Sequence, residues 1–153
     1  MPKFLMIGPD SRFKLIDDLA AIAEVDPFES DSIRSFEATW QGETLRVETP
    51  VVRDLELIET RASDADFILL VISETDGIMP IDLAELEATP DRVAVAAVCC
   101  TNLLADPELS QIIRLEVAEV IKRKRPRWKE HFTVEDCDLF FFILKTSFFT
   151  DCL

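Results

Sequence analysis

The run Phe67 to Ile72, FILLVI, restricts the fold more than any other stretch of the chain. Asp66 precedes it and Ser73-Glu74-Thr75-Asp76-Gly77 follows it. An apolar run too short for an ordinary helix, closed by turn residues, marks a strand buried on both faces. Asp76-Gly77 supplies a turn, and Pro80 suits the first turn of a helix. The segment Ala65 to Asp82 therefore reads as central strand, loop and helix start. In open α/β sheets the carboxyl end of such a strand is where ligands bind.

The rest of the chain fits around that strand. Lys3 to Ile7 is a short strand ending at Gly8. Asp10 or Ser11 can cap a helix over Arg12 to Glu24, since Phe13, Ile16, Leu19, Ala20 and Ala23 recur at helical spacing. A polar loop spans Phe28 to Ile33. Ser35 to Trp40 alternates polar and apolar, Gln41-Gly42-Glu43 turns, and Leu45 to Val47 returns, which makes a hairpin. Arg53 to Ser63 has helical spacing at Leu55, Ile58 and Ala62. Pro80 to Ala88 is a helix with Leu83 and Leu86 inward, and Val93 to Cys99 is a buried strand. Asp106-Pro107 starts a helix with an apolar stripe at Leu109, Ile112, Ile113, Val117, Val120 and Ile121, stopped by Pro126. Asp138 to Leu144 is a last buried strand. The pattern predicts an α/β domain of 153 residues with a mostly parallel six-stranded sheet, one antiparallel hairpin and no covering helix after the last strand.

Charge narrows the partners. The net charge of -14 disfavours nucleic acid and anionic membrane, both of which need a positive surface. A basic protein or peptide fits it better, and solubility alone would also account for it. Lys122 to Lys129, KRKRPRWK, is a local exception. It suits a helix C-terminus that complements the macrodipole, followed by a proline stop; a phosphate contact or a targeting peptide are the other readings. Cys99, Cys100, Cys137 and Cys152 lack metal-ligand spacing, and His131 alone cannot complete a zinc set. With no secretory signal at MPKFLMIGPD, the expectation is a reduced, cytoplasmic setting in which the cysteines are small core residues. A phospho-acceptor receiver domain is excluded, because Gly8-Pro9-Asp10 and Cys99-Cys100 do not supply its acidic and lysine set.

Three strings, in this order of elements, resemble the GTP-binding domain of the translation-factor GTPases, of the elongation factor Tu and selenocysteine-specific type. They are Asp66 to Pro80, DFILLVISETDGIMP; Asp106 to Ile121, DPELSQIIRLEVAEVI; and Val47-Glu48-Thr49-Pro50 ahead of a helix. The resemblance covers about Lys3 to Arg125, and Lys145-Thr146-Ser147 falls where that family has its last guanine-loop motif. It implies a three-layer, P-loop GTPase-like (Ras-like) fold. It also locates the family's nucleotide positions in this chain, and most of them are altered.

A phosphate-binding loop, G-x-x-x-x-G-K-[ST], wraps phosphates with backbone N–H groups, neutralises them with Lys and holds magnesium by a hydroxyl. The corresponding stretch runs from Gly8 to Leu15. Gly8 and Lys14 match, but Phe13 replaces the second glycine and Leu15 the hydroxyl. Pro9 removes an N–H donor, and Asp10 adds negative charge. The magnesium and γ-phosphate motif D-x-x-G corresponds to Glu48-Thr49-Pro50-Val51, which keeps only a carboxylate at Glu48. The family's catalytic histidine position falls at Val52 or nearby. The guanine motif N-K-x-D corresponds to Cys99-Cys100-Thr101-Asn102, where Asn102 cannot present two acceptors to the base.

The resemblance therefore implies a GTPase-like domain without GTP hydrolysis, with Gly8, Lys14, Glu48 and Asn102 as vestigial nucleotide positions, no catalytic residue, no metal and no cofactor. The expected role is a protein-binding module. A partner protein or a second copy would use the Phe-rich strand Phe140 to Phe142 and the tail Phe148-Phe149. The alternatives are a divergent GTPase that still binds guanine nucleotide and magnesium, motivated by Gly8 with Lys14, and a ribosome-associated factor.

Overall fold

The computed structural model of the chain describes residues 1–40, 42–73, 76–100, 107–124 and 132–134. In chain order the elements are β1 (Lys3–Ile7), α1 (Ser11–Ile22), β2 (Phe28–Glu29), β3 (Ile33–Trp40), β4 (Glu43–Pro50), α2 (Leu55–Ala62), β5 (Phe67–Ile72), α3 (Pro80–Glu87), β6 (Ala94–Cys100), α4 (Pro107–Lys124) and β7 (Phe132–Val134). The strands form one sheet in the order β2-β3-β4-β1-β5-β6-β7. β4, β1, β5, β6 and β7 run parallel, while β3 pairs antiparallel with β4 and with β2. The mixed α/β architecture is the expected one.

Every residue of β5 is buried, as its unbroken apolar sequence requires. Side chains alternate between two cores. Phe4, Met6, Phe67, Leu69 and Val71 pack on one face with Leu15, Ile16 and Leu19 of α1. Leu5, Ile7, Ile68, Leu70 and Ile72 pack on the other with Ile58 of α2, Leu86 of α3, and Val117 and Ile121 of α4. Each large apolar side chain removed from water stabilises the fold by roughly 1.5–3 kcal/mol, so the two faces of β1 and β5 form its thermodynamic centre. Phe4 and Phe67, directly paired across β1 and β5, also stack with ring centroids 5.6 Å apart.

Several expectations change in detail. The stretch Phe28 to Ile33 is more than a loop: Phe28 and Glu29 pair with Ser35 and Arg34. The reversal is made by Ser30, whose Oγ accepts from Ile33 N at 3.1 Å and whose N–H donates to Ile33 O at 2.8 Å. The hairpin strands are longer than the alternating pattern indicated, and Ile33 pairs with Pro50 at their far end. Asp10 precedes α1 but does not cap it; its backbone is already helical, at φ -62 and ψ -18. Leu55 is exposed and Leu83 half-buried, whereas Asp82 and Glu85 are buried. β7 was not foreseen. The expected last strand, Asp138 to Leu144, the absence of a covering helix after it, and the Phe-rich tail lie outside the described residues, as do His131, Cys137, Cys152 and Lys145-Thr146-Ser147.

α4 ends in Lys122, Arg123 and Lys124, the part of the basic run within the described residues. Their place in the last turn suits the negative end of the helix macrodipole. Lys124 also pairs with Glu87 at 2.5 Å.

Candidate functional site

β1, β4 and β5 end together at the carboxyl edge of the parallel strands, the edge where ligands bind in this architecture. The first residue past β1 is Gly8, at φ +121. A Cβ there would lie within 3.0 Å of the Val71 carbonyl oxygen, so only glycine lets β1 turn this close to β5. Helix α1 starts at Ser11. Ser11, Arg12 and Phe13, which a phosphate-wrapping loop would hold open, are already helical.

Three backbone donors at this turn are used internally. Gly8 N donates to the Glu85 carboxylate at 3.2 Å. Arg12 N donates to Pro9 O and Phe13 N to Asp10 O, both at 3.0 Å. Pro9 has no N–H to give.

Arg12 fills the interior of the edge and is only 1% exposed. Its Nε donates to Thr49 Oγ1 at 3.0 Å, Nη1 to Gly8 O at 3.0 Å, and Nη2 to Pro50 O at 2.9 Å. Thr49 Oγ1 in turn donates to Met6 O at 2.8 Å. One guanidinium thus ties the ends of β1 and β4 together, using the fixed fork that a lysine lacks. Its carbon lies 4.2 Å from the centroid of the Phe13 ring, a cation–π contact. Burial lowers the Arg12 pKa; the negative charges of Glu85 and Asp10 oppose that shift, and Arg53 adds to it.

A second arginine completes the network from the other side. Arg53, in the loop between β4 and α2, donates to Glu85 Oε1 at 2.5 Å and Oε2 at 2.9 Å, and to Asp82 Oδ1 at 2.6 Å. Asp82 Oδ2 accepts from Met79 N at 2.8 Å, so the same carboxylate closes the first turn of α3. Hydrogen bonding to Glu85 raises the Arg53 pKa above its ordinary value; burial opposes this and Asp82 adds to it. Two buried carboxylates therefore share one guanidinium, and the charge of Glu85 also acts on Arg12, where a nucleotide-binding member of such a fold would present free N–H groups.

The residues singled out from the sequence do not come together. Gly8 belongs to this network. Lys14 points outward from α1 and pairs with Asp18 one turn on. Glu48 is buried, and its carboxylate accepts from Arg61 Nε at 3.0 Å and Nη2 at 2.6 Å and from Arg46 Nε at 3.1 Å. Those arginines line a separate cleft with Lys3, Glu37 and Asp64, near the start of β1. Asn102 lies outside the described residues.

Sequence reasoning missed Arg12, Thr49, Arg53, Asp82 and Glu85. One signal was available: Asp82, Glu85 and Leu86 stand at spacings of three and four on α3, so the two acids share the face that Leu86 buries. Arg12 carried no signal, because the groups that hold it inside, Thr49 and Pro50, are remote in sequence.

Ser11 Oγ is enclosed with no hydrogen-bond partner among the described residues. Ser11→Ala is therefore expected to leave stability unchanged or raise it by up to ~1 kcal/mol, since the hydroxyl loses water and gains no partner. Urea denaturation midpoints check this, and a loss larger than ~1 kcal/mol would reveal a partner for the hydroxyl.

No protein-family model and no curated protein matches the chain in sequence. Solved structures do match it in shape. A bacterial selenocysteine-specific elongation factor, EF-Sec, superposes with a TM-score of 0.73 at 18% identity, over 90% of this chain and 26% of that one. Translation elongation factor SelB from Methanococcus maripaludis, in complex with the GTP analogue GPPNHP, gives 0.73 at 12% identity, over 95% of this chain and 33% of that one. Era from Aquifex aeolicus, bound to GDP and AlF4-, gives 0.66 at 14% identity, over 94% of this chain and 56% of that one. The chain thus spans a quarter to a third of the two elongation factors, and its likeness to all three is one of fold. Within that limit, the chain has the GTPase-like α/β fold of translation-factor domains.

Proposed function

We propose that this is a catalytically inactive GTPase-like domain that works as a protein-binding module. The observation that carries the reading is the Glu85 carboxylate on the Gly8 N–H, at the edge where such folds receive an anion. A phosphate entering there would meet Glu85, Asp82 and Asp10, and would have to displace a guanidinium that already holds Thr49, Gly8 and Pro50. Like charge at that range opposes binding. The residues present do not fit GTP and magnesium. Lys14 is directed away from the turn, and Glu48, the carboxylate at the metal position, is taken by Arg61 and Arg46.

Titration of the purified chain with a fluorescent guanine nucleotide, with and without magnesium, tests this. The expected result is no saturation in the micromolar range and no rise in Tm. Micromolar binding would overturn the reading in favour of a divergent GTPase.

Among the described residues no helix is long and apolar enough to cross a membrane. A cytoplasmic setting and a protein partner belong to the same proposal. The Phe-rich segment Phe140 to Phe149, the surface the sequence suggests for a partner or a second copy, lies outside the described residues.

A further inference from the structure

Four of the nine large apolar side chains that are exposed among the described residues lie in the two segments that Arg53 joins. Val52, 61% exposed, and Leu55, 46% exposed, flank Arg53 and Asp54 at the start of α2. Met79, 46% exposed, and Ile81, 45% exposed, flank the first turn of α3. The bonds from Arg53 to Asp82 and Glu85 hold these two helix starts side by side. Scattered exposed apolar residues need no explanation, but a group held together by a buried ion network is the kind of patch that marks an interface.

The charge around the patch specifies its occupant. Asp54 and Glu56 are exposed at the start of α2, and Asp76 is exposed three residues before Met79. Arg53 is the sole basic residue within 51–60 and 76–91, and its charge is directed inward onto two buried carboxylates. Within these two segments the exposed apolar side chains therefore stand beside exposed carboxylates, and the one cation is turned inward. A partner that complements it carries an apolar stripe flanked by Lys or Arg, as a basic amphipathic helix does.

We propose that the face made by the loop after β4, the first turn of α2 and the first turn of α3 docks a basic amphipathic segment of a partner protein. This rests on the reading of the domain as a binding module and gives that module a surface and a partner chemistry. It needs no nucleotide, because Arg53 fixes the face through side chains of the domain itself.

The test uses the full chain and two probes: an amphipathic helical peptide of Leu, Ala and Lys, and the same peptide with Glu in place of Lys. Fluorescence anisotropy is expected to show binding of the Lys peptide and none of the Glu peptide. Leu55→Ser with Ile81→Ser is expected to weaken the Lys peptide roughly tenfold or more, as truncation of anchoring side chains does. Ile112→Ser with Leu115→Ser, at exposed apolar positions of α4, is expected to leave it unchanged. All four positions are exposed, so the variants should fold, and thermal melts establish that they do. Equal binding by the Leu55/Ile81 variant would overturn the proposal, since it would mean attraction to the net charge of -14 alone. Absence of Lys-peptide binding, or equal binding of the Glu peptide, would overturn it as well. None of these outcomes bears on nucleotide binding, so the proposed surface and the proposed inactivity fail separately.

Discussion

Gly8→Ala is expected to destabilise the domain by about 4 kcal/mol, enough to leave much of a marginally stable chain unfolded. Two costs combine. The backbone at φ +121 is one that an L side chain rarely adopts, costing on the order of 1–3 kcal/mol. The added methyl also meets the Val71 carbonyl, which is held in the sheet and cannot move aside; overpacking of this kind costs about 1–3 kcal/mol. Gly42→Ala and Gly77→Ala provide the controls. Both glycines have positive φ, but a Cβ at either meets nothing within 4 Å. Each should cost only about 1 kcal/mol. Chemical denaturation of the three variants side by side checks the prediction. Equal losses at all three positions would show that the close approach of β1 to β5 at Gly8 carries no weight.

Arg53→Ala should cost about 3 kcal/mol, the low end of the range for breaking a buried ion pair, because Arg53 itself keeps 22% of its side chain exposed. The loss comes from what remains: Asp82 and Glu85, with side chains 2% and 1% exposed, would lose the guanidinium they share. Combining Arg53→Met with Glu85→Gln should be milder than the sum of the single changes by roughly 1–2 kcal/mol, since a neutral amide no longer needs the cation and can still accept from Gly8 N. Strictly additive losses would count against a coupled network. The pH dependence has a definite sign. The folded pKa of Arg53 is raised, so its contribution is complete below the unfolded pKa and is lost only as pH rises through the still higher folded value. The difference between wild type and Arg53→Ala contributed by that titration is therefore flat across neutral pH.

Much of the fold could be read from residue order alone. Phe67 to Ile72 announced a strand buried on both sides, and all six residues are buried. Pro80 and Pro107 each begin the helix expected of them. The site was less legible, for a physical reason. The helix expected from Arg12 begins at Ser11, but the likeness of Gly8 to Leu15 to a phosphate loop gave no sign that the donors of Arg12 and Phe13 turn back onto Pro9 and Asp10. That single turn carries Arg12 inward and leaves Lys14 outside. The partners of Arg12 are remote in sequence, at Thr49 and Pro50, and those of Arg53 lie at Asp82 and Glu85. Which residues pair across such separations leaves no periodic trace, even where the shared face of Asp82 and Glu85 does. Leu55 illustrates the opposite error: its helical spacing pointed to the core, but α2 is short and only Ile58 and Ala62 are buried in it.

The two-residue β2 has a consequence for how copies of this chain behave in solution. It covers β3 only at Arg34 and Ser35, so among the described residues the outer backbone of β3 from Phe36 to Trp40 has no neighbouring strand. Such a margin is a template for another extended chain. Glu37 sits in the middle of it, and the net charge of -14 keeps copies apart while salt is low. Added salt screens that repulsion without touching the backbone donors and acceptors of the margin. The open margin of β3 is thus a separate edge of the molecule from the turn at Gly8, and light scattering of the chain against added salt is the measurement that would register pairing there.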